Sequence, residues 1–386
     1  MNRRPWVPVC VTLAGAVLAV LLWPVLAPTP DSGLDFLNYW GAPQLARQDI
    51  HVLFAGRGYE QALHQLHPHD FAELRWSYPL HSLFFFAPFA ALPYTAALLL
   101  WSLLGLLAYL AVMRAALPPG VPRRAWSMWL AFSPVAMVVL LSGQNGFFIG
   151  AAALAVPLML ARGHPVLAGA VLGCLTIKPQ LFILWPLMLL LDRQWRCLAA
   201  ASVTALGLVA ASLWVHGLTA WQEFFAVVPA LQWRILSAEQ FEESRKLAHL
   251  MMPGVLPALR LLGVGDTLAC GVQILVSVGV ALGTARAWRR PMRLPRRVVL
   301  LASASLLVSP YGFNYDLTLL SAALLLLWAD GAPRTRYEAW LHGAVYLLPL
   351  LVYVLNLVAV PLAPVLLLLL WGNSLRAALT APTAPT

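Results

Sequence analysis

The stretch that decides the fold is YTAALLLWSLLGLLAYLAVM, residues 94–113, which contains no charged side chain and ends at Arg114. As an α-helix, such a run is about 30 Å long, which matches the hydrocarbon core of a bilayer. Because lipid offers the backbone no hydrogen-bond partner, we expect each such run to be a helix. Further spans are predicted near 6–27, 125–142, 147–161, 165–177, 181–191, 197–215, 266–286, 298–309, 317–329, 338–356 and 360–372.

The composition of the whole chain supports the same interpretation. Of 386 residues, 61% are hydrophobic and 10% are charged, whereas a soluble domain carries about 25% charged residues. The sequence therefore predicts an all-α, polytopic integral membrane protein with roughly 12 transmembrane helices. We expect residues 1–376 to form a single domain and the Thr/Pro/Ala-rich segment 377–386 to be a disordered tail.

Arginines between the apolar runs predict the orientation of the chain. The basic residues of this chain of net charge +10 are concentrated in short loops, such as 123–124 and 286–297. That is the positive-inside pattern of a membrane protein and not the basic surface of a nucleic-acid-binding protein. We therefore expect a multi-pass protein of the cell inner (plasma) membrane, with no nucleic-acid partner.

Two longer polar segments then face the outside. The first outer loop, 28–77, contains six of the 15 acidic residues and is expected to include interfacial helices. Residues 79–92 are interpreted as a short helix at the outer surface, which Pro93 separates from the span that follows. The second outer loop, 216–250, combines aromatic residues with a charged stretch, as an amphipathic interfacial segment does.

Four polar islands interrupt the apolar sequence, and the topology places all of them at the outer ends of spans. They are DFLNYW (35–40), SGQNG (142–146), TIKPQ (176–180) and SPYGFNYD (309–316). Polar groups inside a bilayer are costly, so each island is a hypothesis for a functional site.

Each island also has a purely structural interpretation. Asp35 is either a general base or a helix cap, and the amides Gln144 and Asn145 either bind sugar hydroxyls or form a turn. Lys178 either extends to the interface or meets an anion such as a lipid phosphate. Asp316 is either a site residue or an acid that favours a helix N-terminus.

Motifs for other transferase chemistry are absent from the sequence. It contains no phosphate-binding glycine loop, no HExxH and no DxD metal motif, and its four cysteines have no metal-like spacing. We therefore expect no metal and no cofactor, with the activated group supplied by a lipid carrier.

The ordered set of islands resembles glycosyltransferase family 87, a branch of the GT-C superfamily that includes polyprenol-phosphate-mannose-dependent mannosyltransferases. The stretches that carry the resemblance are DFLNYW (35–40), RWSYPLHSLFFFAPFAALPY (75–94), SGQNGF (142–147), LAGAVLGCLTIKPQ (167–180) and SPYGFNYD (309–316). The resemblance implies a GT-C fold, a lipid-phosphate sugar donor and a catalytic acid in the first outer loop, which by position is Asp35.

The resemblance also implies roles for other residues. Lys178, Gln180 and Arg75 are expected near the donor phosphate. Expected near the sugar or the acceptor are Tyr39, Tyr78, Gln144, Asn145, Tyr311, Asn314 and Asp316. Some mannosyltransferase branches carry a histidine pair where this chain has Tyr315-Asp316, so Asp316 replaces the histidine role or that role is absent.

The sequence thus predicts a hexosyltransferase whose active site faces the periplasm or outside. It would move a hexose, mannose by the resemblance, from a polyprenyl-phosphate donor to a glycolipid or glycan acceptor, with inversion and with membrane lipids around it. The main alternative is a transporter or flippase of a lipid-linked saccharide, which also requires polar residues inside the membrane; a non-catalytic assembly subunit is a third possibility.

Overall fold

The computed structural model describes residues 34–68, 74–237, 247–333 and 335–380. The expected first span, 6–27, and the whole charged stretch 239–246 lie outside the described residues. The helices up to the middle of the chain are α1 (Leu34–Gln48), α2 (Arg57–Leu66), α3 (Leu83–Phe86), α4 (Tyr94–Ala116), α5 (Arg123–Ala131), α6 (Pro134–Ser142), α7 (Gly146–Ala161), α8 (Pro165–Cys174) and α9 (Trp185–Leu191). They are followed by α10 (Trp195–Leu236), α11 (Leu247–Leu250), α12 (Val255–Leu261), α13 (Asp266–Trp288), α14 (Leu294–Val308), α15 (Thr318–Ala329), α16 (Arg336–Leu357) and α17 (Ala363–Leu379).

Four of the described helices, α4, α10, α13 and α16, are long and apolar enough to cross a membrane. The pair α5 and α6 adds a fifth if it is one span, bent by 50° where Ser133 caps the second helix and Pro134 lacks a backbone N–H. The chain is therefore an all-helical membrane protein in its described part. The predicted 12 spans are not confirmed, because several of the apolar runs form short helices: α9 has only 7 residues, about 10 Å of helix.

Ion pairs and hydrogen bonds gather the arginine-bearing helix ends on one side of the bundle. Arg297 pairs with Asp192 at 3.0 Å and Arg293 with Asp330 at 2.8 Å. Arg162 donates to a backbone carbonyl in the last turn of α4 at 2.5 Å. These contacts define what we call the arginine end. Since α6, α8 and α14 run away from it, the turns 143–145, 175–181 and 309–317 lie at the opposite end, which we call the site end.

The interior of the bundle is built around α15, all of whose residues are buried, with α7, α14 and α16 packed against it. By contrast, α10 and α13 turn apolar side chains outward: Trp214 is 89% exposed and Leu275 is 73% exposed. Helices with apolar residues on the outside as well as the inside are typical of membrane proteins.

A second, smaller core covers the site end. Phe36, Tyr59, Trp76 and Trp221 are among the buried residues that join the segments before α4 to the distal part of α10. That distal part is reached through a kink at Gly217, whose φ of 80° lies in the left-handed region that glycine adopts at little cost. The segment expected as the second outer loop is therefore helical as far as Leu236.

Two other predictions from the sequence can be compared with the observed helices. Residues 80–91 form short helical turns, and α4 begins directly after Pro93. At the other end of the chain, α17 continues to Leu379, past the expected start of the tail at 377, because Ala and Leu in its last turn are good helix formers. Residues 381–386 lie outside the described residues.

Candidate active site

The four polar islands occupy breaks in helical structure that meet at the site end. Asp35 lies in the first turn of α1. Gln144 lies in the turn between α6 and α7, which Gly143 closes in the left-handed conformation. Lys178 separates two short 3-10 turns, one of which ends at Ile177, and Asp316 lies in a third.

The centre of this cluster is a buried ion pair. Lys178 Nζ donates to Asp316 Oδ1 at 2.6 Å, and both side chains are at most 5% exposed. The second carboxylate oxygen of Asp316 accepts the backbone N–H of Phe313 at 3.0 Å, which fixes the carboxylate. Lys178 Nζ also lies 4.8 Å from the centre of the Tyr315 ring, a cation–π distance. A buried charge is tolerated only with partners of this kind.

Asp35 is the second carboxylate of the cluster. Its side chain keeps part of its surface accessible, yet it lies deep among protein atoms, and this burial raises the pKa of its carboxyl group. A hydrogen bond with Gln144 and the positive charge of Lys178 oppose that rise in pKa. The structure thus places Asp35 within electrostatic reach of the Lys178–Asp316 pair.

A chain of hydrogen bonds fixes the amide of Gln144. Tyr39 donates its hydroxyl to Gln144 Oε1 at 2.5 Å, and the hydroxyl oxygens of Tyr39 and Tyr78 are 2.7 Å apart. Because the amide oxygen faces Tyr39, the amide N–H of Gln144 is the donor to Asp35. Tyr39 and Tyr78 are predicted to lie near the sugar or the acceptor, and in the structure their hydroxyls take part in these hydrogen bonds.

Two buried asparagines carry unused hydrogen-bonding capacity. Among the described residues, neither side-chain polar atom of Asn145 has a partner, although the residue is 1% exposed. Asn314 donates to the Pro349 carbonyl at 2.8 Å, while its own Oδ1 is unpaired there. Tyr311 interacts electrostatically with Asp35, Tyr78 and Asp316 and so belongs to the same region.

Two predicted donor-binding residues are not joined to this cluster by a described contact. Arg75 forms an ion pair with Glu60 of α2, and among the described residues no ion pair or hydrogen bond joins it to Lys178 or Asp35. Gln180 is half-buried, two residues after Lys178. Arg75 and Glu60 both lie in the predicted first outer loop and neutralise each other. Their spacing along the sequence does not reveal this pairing.

His81 is a buried histidine beside the turn before Lys178 that the sequence analysis did not single out. It is 2% exposed, its Nε2 lies 3.2 Å from the hydroxyl of Thr176, and its ring stacks on Trp221. Burial lowers the pKa of His81 to about 4, so the ring is neutral at physiological pH. Its position inside the apolar stretch YPLHSLFFF, residues 78–86, was an available signal, because polar residues in such stretches are rare.

The described residues contain no group of three or more His, Cys, Asp or Glu side chains suited to hold a metal ion. The chemistry that this part of the chain offers is that of two carboxylates, one ammonium group and several amides and hydroxyls at one end of a helical bundle.

Comparison with known proteins identifies the family. No curated protein and no solved structure matches the chain. The family model of glycosyltransferase family 87 matches residues 76–310, which covers more than half of the chain and includes the Gln144 and Lys178 islands. Placement in the GT-C superfamily is consistent with this match. The chain therefore belongs to glycosyltransferase family 87.

Proposed function

We propose that this protein transfers a hexose, mannose in the first instance, from a polyprenyl-phosphate donor to a glycolipid or glycan acceptor. A glycosyltransferase needs a sugar donor and an acceptor, and the site must therefore hold a base for the acceptor and a cation for the leaving group. The observation that carries the proposal is that Asp35 lies at the site end within electrostatic reach of Lys178, which forms the buried ion pair with Asp316.

Asp35 is the proposed general base. A base works best when its pKa is close to the working pH, and burial raises the pKa of Asp35 toward that range. The amide N–H of Gln144 orients the carboxylate, while Tyr39 and Tyr78 hold the amide. In this scheme the two tyrosines are positioning residues and contact neither sugar nor acceptor.

Lys178 is the proposed partner of the donor phosphate. An ammonium group has three N–H donors, and Asp316 accepts one of them in the described structure. The other two are then available to phosphate oxygens, whose negative charge grows as the lipid phosphate leaves. Arg75 would have to leave Glu60 to take part, so we assign the phosphate to Lys178, with Gln180 beside it.

The proposed reaction is a single displacement. Asp35 accepts the proton of an acceptor hydroxyl as its oxygen forms a bond to the anomeric carbon of the sugar. The bond between that carbon and the phosphate oxygen breaks, and its electrons stay with the polyprenyl phosphate. Attack from the face opposite the leaving group inverts the anomeric centre.

Amides would supply contacts to the sugar. The unpartnered side chain of Asn145 can both donate to and accept from a hydroxyl group, and Asn314 Oδ1 and Tyr311 lie in the same region. We further propose the inner membrane as the location, with the site facing the periplasm, because arginine-rich helix ends favour the cytoplasmic side and the site lies at the other end.

The test of the proposed base is Asp35→Asn, compared with Asp49→Asn as the matched control. Asp49 caps a short 3-10 turn and is exposed, so its replacement should leave transfer unchanged. Purified protein is incubated with a radiolabelled polyprenyl-phosphate mannose and an acceptor. We expect Asp35→Asn to lower the transfer rate by about 100-fold or more; a rate equal to that of the control variant rejects Asp35 as the base.

The same assay distinguishes the transporter alternative. An enzyme leaves polyprenyl phosphate and a labelled acceptor, whereas a flippase leaves the labelled donor intact. A panel of polyprenyl-phosphate sugars in this assay identifies the hexose.

A further inference from the structure

A cavity of about 180 Å³ opens between helices at the arginine end, away from the candidate active site. Apolar side chains such as Leu160, Met188 and Leu301 line it, and Asp192, Trp288 and Arg297 form its polar rim. An apolar lining of this kind favours hydrocarbon over water, while the open, polar rim leaves room for a head group. The cavity therefore suits a ligand with an apolar part and a polar head.

The polar rim holds two buried N–H donors that lack an acceptor. Within the described ranges, Trp288 Nε1 and Arg297 Nε are both unpartnered. The other nitrogens of Arg297 are in use, because they bind both oxygens of Asp192 at 3.0 and 3.2 Å and the Trp288 carbonyl at 3.1 Å. Leaving buried donors unpaired is costly, so these two donors indicate a ligand that brings acceptor oxygens.

Contacts within the rim orient the Arg297 guanidinium. The Arg297 guanidinium lies over the Trp288 ring, 4.3 Å from its centre, and its bidentate pairing with Asp192 fixes the guanidinium plane. The guanidinium is therefore largely oriented before a ligand arrives, which limits the entropy lost on binding, and a small shift of the rim side chains lets a ligand oxygen reach the two unused donors.

The charge around the rim indicates an anionic head. Asp192 balances Arg297, but the exposed Arg193, Arg196 and Arg289 are close to the rim in the chain and leave an excess of positive charge. Basic pockets between membrane helices on the cytoplasmic side favour anionic lipid head groups.

We propose that this cavity binds an anionic phospholipid from the leaflet at the arginine end. Its phosphate or ester oxygens accept from Trp288 Nε1 and Arg297 Nε, and one acyl chain enters the cavity between α7, α9 and α14. The site is separate from the Lys178 cluster, and the proposal does not depend on the sugar donor or on the reaction.

The test uses full-length protein in zwitterionic detergent, titrated with phosphatidylglycerol or phosphatidylcholine, with thermal unfolding and native mass spectrometry as readouts. Phosphatidylglycerol should raise the unfolding temperature and remain bound as a discrete adduct, whereas phosphatidylcholine should do neither. Trp288→Phe keeps the ring under Arg297 but removes the N–H, so we expect about tenfold weaker phosphatidylglycerol binding.

Trp195→Phe is the matched control, since Trp195 is 60% exposed and lies outside the cavity lining; its affinity should equal that of the wild type. Leu160→Trp fills the cavity and should abolish the adduct even if Trp288→Phe proves unstable. Equal responses to the two lipids, unchanged binding in Leu160→Trp, or a copurified polyprenyl phosphate in place of phospholipid would each overturn the proposal.

Discussion

At the scale of single residues, the site combines one carboxylate that is committed to an ion pair with one that is not. Asp316 is held by Lys178 and by a backbone N–H, so it is poorly placed to accept a proton. Asp35 keeps accessible surface, and burial raises its pKa. This division of roles between two neighbouring carboxylates supports Asp35, and not Asp316, as the proposed base.

The pH dependence of transfer tests this assignment. A base acts in its deprotonated form, so a raised pKa moves the loss of kcat/KM on the acid side to a pH above the ordinary aspartate value of 3.8. Gln144→Met removes a hydrogen bond that lowers the pKa of Asp35, and the acid limb should therefore move to still higher pH. Activity measured at alkaline pH should fall much less than activity measured at acidic pH.

The control for this experiment is Ser142→Ala. Ser142 is in the same turn region but donates only to the α6 backbone, so its replacement should leave the acid limb in place. If Gln144→Met also leaves the limb in place, Asp35 is not the group that titrates in it.

Variants of Lys178 and Asp316 can separate the contribution of the ion pair to stability from its contribution to sugar transfer. Lys178→Met or Asp316→Leu leaves one buried charge without its partner, which costs about 3–5 kcal/mol of stability. The double variant removes both charges, and replacing a buried pair by apolar residues is often neutral. We therefore expect thermal unfolding of the double variant near the wild-type temperature but no transfer. Full transfer activity in a stable double variant would contradict the role of Lys178.

At the scale of elements, the position of Lys178 depends on the close approach of α8 to α10. A Cβ on Gly169 would lie 2.2 Å from the Cys197 carbonyl oxygen, and one on Gly173 would lie 2.7 Å from the Ala201 carbonyl oxygen. Two glycines four residues apart form one small surface of a helix, a common device for packing membrane helices. Since α8 leads directly into the turn before Lys178, the packing of α8 against α10 determines where Lys178 lies along the axis of the bundle.

Gly169→Ala should therefore force the two helices apart and lower stability by about 1–3 kcal/mol, with a loss of transfer because the Lys178 turn moves. Gly207→Ala on α10 is the control: nothing lies within 4 Å of its Cβ, and alanine favours a helix. Thermal unfolding in detergent and the transfer assay check both variants. Equal unfolding temperatures for the two variants would contradict the close-packing argument.

At the scale of the whole molecule, the helical bundle has two chemically different ends, the arginine end and the site end. Asp192 and Asp330 bind arginines at one end, whereas Asp35 and the Lys178–Asp316 pair lie at the other. Under the positive-inside rule, we expect the proposed active site to face away from the cytoplasm and to receive donor and acceptor from the outer leaflet.

Labelling of single cysteines tests this orientation. In a background without native cysteines, Gln61→Cys and Arg289→Cys place a thiol at exposed positions of the site end and the arginine end. A membrane-impermeant maleimide added to intact spheroplasts should label position 61 at once and position 289 only after permeabilisation. The reverse pattern would place the cluster on the cytoplasmic side and contradict the proposed location.

Helix positions were largely predictable from the sequence, because apolar runs and prolines act locally. The run at 94–113 is the core of α4, and Pro93 precedes its first residue. The number of spans was not predictable in this way: α9 is apolar but short, and whether such a helix crosses, half-crosses or lies inside the bundle depends on its neighbours and not on its own composition.

The sequence by itself determined that the protein lies in a membrane, that it is helical, and that it resembles the family which the family model confirms. It also identified the polar residues that interrupt the apolar segments and that are costly to bury in lipid. What only the tertiary structure decided is which of those residues meet. Lys178 and Asp316 are 138 positions apart, and Arg75 pairs with Glu60 instead of joining them. The physical reason is that apolar patterning acts over a few residues, whereas the pairing of buried charges depends on how the helices pack together.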